Sequence, residues 1–177
     1  MKFTSTELPG VQIIDSDTFP DERGSFTRVW HPGEFESHGL EAKIAQCTMA
    51  FNHRCGTIRG MHYQSEPQSE VKLVRVTRGL IYDVIVDLRP ASPTFKNWFG
   101  VELSADNRRS VYIPKGLAHG YQTLTDDAEV LYFVSNDYSP AHQRGVRFDD
   151  PAFGIRWPLG APTVINERDA TYADFGD

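Results

Sequence analysis

Cysteine is nearly absent from this chain: Cys47 and Cys55 are the only two in 177 residues. Two cysteines build no disulfide framework, and their spacing fits no zinc motif. They are expected to be buried free thiols in a reducing compartment. Long apolar runs are missing as well. No stretch approaches the roughly 18 apolar residues needed to span a bilayer. The opening MKFTSTELPGVQIID has neither the apolar core nor the small-residue cleavage site of a secretory signal. A cytoplasmic protein with no membrane partner is the expectation. Basic charge is scarce: 18 Lys and Arg stand against 24 Asp and Glu, for a net charge of −6. No basic stripe marks a nucleic-acid partner. Helical signals are weak, the best being a short helix from Pro32 to His38. There is no internal repeat, and the 14 Gly and 11 Pro are scattered rather than gathered into a linker. One domain over residues 1–177, with a substantial core, is therefore expected.

What the chain has in quantity is short β-rich segments. GTIRGMHY, VKLVRVTRG, LIYDVIVDL, WFGVELS, SVYIP and AEVLYFVS are rich in Val, Ile, Tyr and Phe. Breaks such as RPASPT, SADN and LTDDA separate them. Regular short strands with turns predict an all-β sandwich or barrel with a few short helices. From Asp149 onward the chain is Pro-rich and is expected to wrap the outside. Alternation places Asp83 and Asp87 on one face with Ile81 and Ile85, and Lys72 with Val74 and Val76. Such charges either lie on the wet faces of exposed strands or point inward, where they must be paired or serve a ligand.

Two segments concentrate chemistry. Arg59-Gly60-Met61-His62-Tyr63-Gln64 is followed by Lys72, and Ile113-Pro114-Lys115-Gly116-Leu117-Ala118-His119-Gly120 follows later. The Pro-x-Gly-x-x-His turn resembles the second half of the cupin signature. His62-x-Gln64 resembles its first half with one ligand replaced. Gln64 is a poor metal ligand and Lys72 adds positive charge, so no metal is expected. His31, His38, His53 and His142 lie in polar, loop-like stretches and read as ordinary histidines. Arg59 and His62 are three apart, so a regular strand would send them to opposite faces. Gly60 between them permits a bulge that would bring both inward.

From Phe19 to Asp169 the chain resembles the dTDP-4-keto-6-deoxyglucose 3,5-epimerases. The text that carries the resemblance is FPDERGSF, TIRGMHYQ, KLVRVTRG, YDVIVDLRPASPTF, VELSADNRRSVYIPKGLAHGYQTL, AEVLYF, DDPAFGIRWP and NERD. The resemblance implies a cupin-type jelly roll, a nucleotide-diphosphate sugar as substrate, no metal or other cofactor, and a homodimer. It also implies roles. His62 would be the base that removes a proton beside a ketone, and Asp169 its dyad partner. Tyr132 would be the acid that returns a proton to the opposite ring face, and Lys72 the stabiliser of the enolate. Arg23 and Arg59 would hold the diphosphate with His119 nearby, and Phe26, Arg28 and Tyr138 would complete the nucleotide side. The chemistry asks for these types. A hydrogen alpha to a ketone needs a base and a donor for the growing enolate oxygen.

Two departures concern the nucleotide. Where the thymidine enzymes read Gly-x-Phe-x-Glu, this chain has Gly24-Ser25-Phe26-Thr27-Arg28. Against their Gln-x-Asn-x-Ser we align Cys47-Thr48-Met49-Ala50-Phe51, so that Met49 and Phe51 would offer an apolar wall to a different base. Arg has donors and no acceptor, which predicts cytidine or guanosine diphosphate over thymidine diphosphate. The N-terminal strand around Val11 to Ile14 is expected to be exchanged between subunits, carrying Phe19 and Arg23 into the neighbour's pocket. A nucleotide-sugar ketoisomerase, a non-catalytic sugar-binding cupin and a metal-dependent dioxygenase are the competing readings.

Overall fold

The computed structural model describes residues 1–176. In chain order the elements are β1 (Lys2–Ser5), β2 (Gln12–Asp15), β3 (Thr18–Asp21), β4 (Gly24–Thr27), α1 (Pro32–Ser37), β5 (Gln46–Asn52), β6 (Ile58–Gln64), β7 (Lys72–Arg78), β8 (Leu80–Asp87), β9 (Trp98–Ser104), β10 (Arg109–Ile113), β11 (Leu117–Thr123), β12 (Ala128–Val134), β13 (Gln143–Gly145) and α2 (Glu167–Ala170). The strands form a six-stranded sheet ordered β1-β2-β10-β7-β12-β5 and a five-stranded sheet ordered β13-β6-β11-β8-β9. The ladders within these sheets are antiparallel. A separate hairpin, β3–β4, stands apart from both. This is the all-β sandwich that the strand-and-turn pattern predicts and the jelly roll that the resemblance implies.

Three layers of apolar packing explain why several strands read as nearly continuous hydrophobic runs. The central layer joins the two sheets through Val74, Val76, Ile81, Ile85, Val111 and Val130. The outer face of the five-stranded sheet presents Met61, Val84, Val86 and Ala118, and the C-terminal segment covers it with Phe153, Ile155 and Trp157. The outer face of the six-stranded sheet presents Ile14, Leu73 and Tyr112, and α1 covers it with Phe35. Strands buried on both faces lose the clean alternation of a half-wet sheet. The expected short helix is therefore real, and its role is to cap a sheet face. His31 caps its N-terminus through a side chain that accepts from the Glu34 N–H. The last segment wraps the outside as expected and adds α2, which no sequence signal announced.

One expectation fails. Cys47 is exposed and Cys55 only half-buried, though both thiols are free. Cys47 lies on edge strand β5, whose single ladder is with β12, so nothing covers it. Within the single chain the N-terminal strand joins its own sheet. β2 is hydrogen-bonded to β10 of its own chain, and Val11 and Ile14 are fully buried in that chain's core. What stands free is the β3–β4 hairpin, with Phe19 61% and Phe26 68% exposed. Among the described residues no helix is long and apolar enough to cross a membrane.

Candidate active site

The inner face of the sandwich is apolar at one end and polar at the other. Lys72 and Asp83 share their strand faces with core residues, so the alternation pointed inward rather than to wet faces. Two adjoining cavities of about 220 and 250 Å³ open at the polar end. His62, Lys72 and Tyr132 border both. Gln46, Thr48, Glu70 and Tyr138 complete one; Arg59, His119, Tyr121 and Asp169 complete the other.

β6 carries the bulge that the Arg59–His62 spacing requires. Across the ladder His62 faces His119, while Arg59 faces Tyr121, so three steps on β6 match two on β11. Gly60 makes this possible. Its φ is +124°, and a Cβ there would sit 2.5 Å from the Gly120 Cα and 2.8 Å from the His119 carbonyl oxygen. Met61 is thereby turned to the outer layer, and both Arg59 and His62 reach the second cavity.

Asp169 arrives from α2, 107 residues away, and is fully buried. Its Oδ1 lies 2.7 Å from His62 Nε2, and its Oδ2 accepts the Gly60 N–H at 3.0 Å. Burial would raise the pKa of this carboxyl, but the bonds from His62 and Gly60 outweigh it and hold it below its usual value. An ionised acceptor on Nε2 selects the tautomer with the proton there. Nδ1 is left with its lone pair and without a protein partner among the described residues. Asn166 fixes α2 by accepting the Asp169 N–H at 2.7 Å.

Lys72 Nζ donates to the His62 carbonyl oxygen at 3.0 Å and lies 3.3 Å from Glu70 Oε1. Burial pushes its ammonium below the usual lysine range, against the pull of Glu70 and Asp83. His119 Nε2 is 2.8 Å from the buried Asp83 carboxylate, whose pKa burial raises. Tyr132, half-buried on β12, alternates with Val130 as expected and packs on the core. Burial and the neighbouring Tyr121 hold its phenol well above the ordinary tyrosine value, so it keeps its proton at neutral pH. Arg59 Nε donates to Asn52 at 2.7 Å, and the same Asn52 oxygen accepts the Tyr121 hydroxyl at 3.2 Å. Tyr138 donates its hydroxyl to Gln143 at the rim.

The structure thus brings together His62, Asp169, Lys72, Tyr132, Arg59, His119 and Tyr138. It does not bring Arg23, Phe26 or Arg28 to them. Arg23 bonds to Asp21 at the tip of the exposed hairpin. Arg28 lies 3.5 Å from Glu34 at the start of α1, largely in solvent. Met49 and Phe51 give no wall to the pocket either; both are exposed. Residues of β5 alternate, and Gln46, Thr48 and Ala50 are the ones that line the cavities. Gln64 spends its amide on the Gln68 and Asp137 carbonyls and accepts the Ser139 N–H. It anchors a loop. Asn52 and Gln46 could have been found by extending the β5 alternation, and Glu70 and Tyr121 by the same two-residue step from Lys72 and His119.

The description "dTDP-4-dehydrorhamnose 3,5-epimerase" belongs to the family whose model matches residues 5–177. An enzyme of that name from Methanothermobacter thermautotrophicus is 42% identical over 97% of this chain and 92% of its own length. The crystal structure of one from Bacillus anthracis, with TDP and PPi bound, shares 39% identity and superposes with a TM-score of 0.94 over 98% of both chains. One from Legionella pneumophila, in complex with dTDP-4-keto-L-rhamnose, shares 36% identity with a TM-score of 0.90 over 95% of this chain and 89% of that one. With a match over nearly its whole length and a cavity built around His62, this chain belongs to the dTDP-4-dehydrorhamnose 3,5-epimerase family of isomerases.

Proposed function

We propose that this chain inverts C3, C5 or both in a thymidine-diphosphate-linked 4-keto-6-deoxysugar. The observation that carries the reading is one cavity wall holding a dyad-oriented imidazole, a buried ammonium and a protonated phenol. His62 Nδ1 takes the proton alpha to the ketone, and Asp169 balances the imidazolium that results. Electron density moves to the C4 oxygen, where Lys72 meets the growing negative charge. Tyr132 then returns a proton to the carbon from the opposite face of the ring. One C–H bond breaks, one forms with inverted geometry, and the ketone is restored; His62 then gives its proton to solvent and the Tyr132 phenolate takes one back. A ketoisomerase passes through a related enediolate, but a phenol that keeps its proton beside the base favours inversion. His62→Ala tests the reading. Deuterium wash-in from solvent beside the ketone should fall by roughly 10²–10⁴, the usual cost of losing a general base. Wild-type wash-in in that variant would remove His62 from the mechanism.

The working unit in this reading is a homodimer. The β3–β4 hairpin carries Phe19, Arg23 and Phe26 away from its own cavity, while β5 presents an open edge with Met49 and Phe51 exposed beside that cavity. An edge left open is a liability that a second copy would cover. The hairpin, rather than β2, is the element to exchange. A fully active monomer by light scattering at micromolar concentration would defeat the proposal. Two free thiols fit a reducing, cytoplasmic location.

A further inference from the structure

Glu70 is a buried charge that the epimerase reading leaves unused. Its side chain is 7% exposed, at the edge of the first cavity, on the segment leading into β7. Oε1 lies 3.3 Å from Lys72 Nζ, and Oε2 is buried with no hydrogen-bond partner. A buried carboxylate oxygen without a donor is costly, and a buried ion pair is a weak source of stability. Fold stability therefore gives a poor account of Glu70, and its contact with Lys72 gives a better one.

The ammonium has three hydrogens to place. One goes to the His62 carbonyl oxygen and one toward Glu70. The third has no protein acceptor among the described residues, and both cavities border it. The ionisable groups around Lys72 are Glu70, Asp83 on β8, Arg59, His62 and Tyr63 on β6, His119 and Tyr121 on β11, Tyr132 on β12, Tyr138 beyond it, and Arg168 and Asp169 on α2. Its ladder partner on β10 is the apolar Ile113. Asp83 is already engaged by His119 at 2.8 Å. Glu70 is thus the carboxylate in contact with the ammonium and not committed elsewhere.

We propose that Glu70 is a positioning residue of the reaction: it keeps Lys72 protonated in a buried place and leaves its third N–H directed at the cavity, where the enolate oxygen forms. This rests on the epimerase reading for its purpose, but not for its physics. Without Glu70, desolvation would act on Lys72 with only the shared Asp83 against it, and the ammonium would lose its proton at lower pH.

The test is Glu70→Gln, which keeps the volume and an acceptor for Lys72 and deletes the charge. The first readout needs no substrate: NMR titration of the Lys72 side chain in protein carrying ¹³C-labelled lysine. Its titration should move down by about one pH unit or more in the variant. The second is the pH profile of deuterium wash-in, whose alkaline limb should move down by a similar amount while KM changes less than about threefold. Glu70→Asp, which keeps a carboxylate, should restore most of both shifts, and Glu70→Ala, with the same expected fall, takes the place of Glu70→Gln should that variant fail to fold. Identical Lys72 titration in wild type and Glu70→Gln, or a Lys72 that titrates in Glu70→Asp as it does without the carboxylate, would overturn the proposal. Absence of wash-in by the wild-type protein would instead defeat the epimerase reading, with the titration still deciding the role of Glu70.

Discussion

Replacing Asp169 by Asn tests the dyad most sharply, because each carboxylate oxygen has one hydrogen-bond partner, with Arg168 3.8 Å from Oδ1. Oδ1 faces His62 Nε2 and Oδ2 accepts from Gly60. An amide has one oxygen and one NH₂, so both jobs cannot be kept. If the oxygen stays with Gly60, the NH₂ donates to Nε2, the imidazole proton moves to Nδ1, and the base loses its lone pair toward the cavity. If the oxygen stays with His62, the NH₂ confronts the Gly60 N–H and leaves a buried donor unpaired. That costs about 1–3 kcal/mol, so the inactive tautomer is favoured roughly ten- to a hundred-fold. Loss of the negative charge behind the imidazolium multiplies this. By analogy with the carboxylate-to-amide change in serine-protease triads, the total loss is about 10³–10⁴, or roughly 4–5 kcal/mol of barrier. Deuterium wash-in beside the ketone, followed by NMR, measures it. Because the replacement is isosteric, the melting temperature should change by only a few degrees. A wash-in rate within tenfold of wild type would refute the assignment of Asp169 as the group that sets the tautomer.

Three further outcomes are expected. Tyr132→Phe keeps the ring and deletes the hydroxyl, so epimer formation should stop while part of the deuterium wash-in survives; equal loss of both would show that Tyr132 also acts in proton removal. Gly60→Ala forces a Cβ against the Gly120 backbone at positive φ and should cost roughly 3 kcal/mol, on the order of 10 °C in melting temperature; an unchanged melting curve would mean that the bulge relaxes freely. Asp87 is fully buried, and although burial works to raise its pKa, hydrogen bonds from Arg89, Ser92 and Thr94 hold it far below the usual range. Its stabilisation is present above the unfolded carboxylate pKa, about 4, and is lost as pH falls through the lower folded value. Arg89→Met should therefore cost about 3 kcal/mol at pH 7, with the gap in melting temperature to wild type narrowing below about pH 4; a gap constant from pH 7 to 3 would contradict it.

Local pattern in the sequence determined the strands, the face that Tyr132 shares with Val130, and the short helix at Pro32, because side-chain alternation and capping act over a few residues; it left open whether Lys72 and Asp83 point inward or to a wet face. The spacing of Arg59 and His62 around Gly60 even demanded a bulge, since period two cannot put both on one face. Family text then marked His62, Tyr132, Lys72 and Asp169. Alternation along β5 was equally legible, yet choosing Met49 and Phe51 over Gln46, Thr48 and Ala50 shifted the strand by one residue and exchanged its faces. Pairings across long separations were not legible. Nothing near Asp169 says that α2 will bring it to His62, and nothing near Asp83 says that His119 will meet its carboxylate. The same is true of β2, which local pattern marks as a strand without saying that it will lie beside β10. Those outcomes depend on which strands pair and in what register, a free-energy balance over the whole fold that local propensity does not contain.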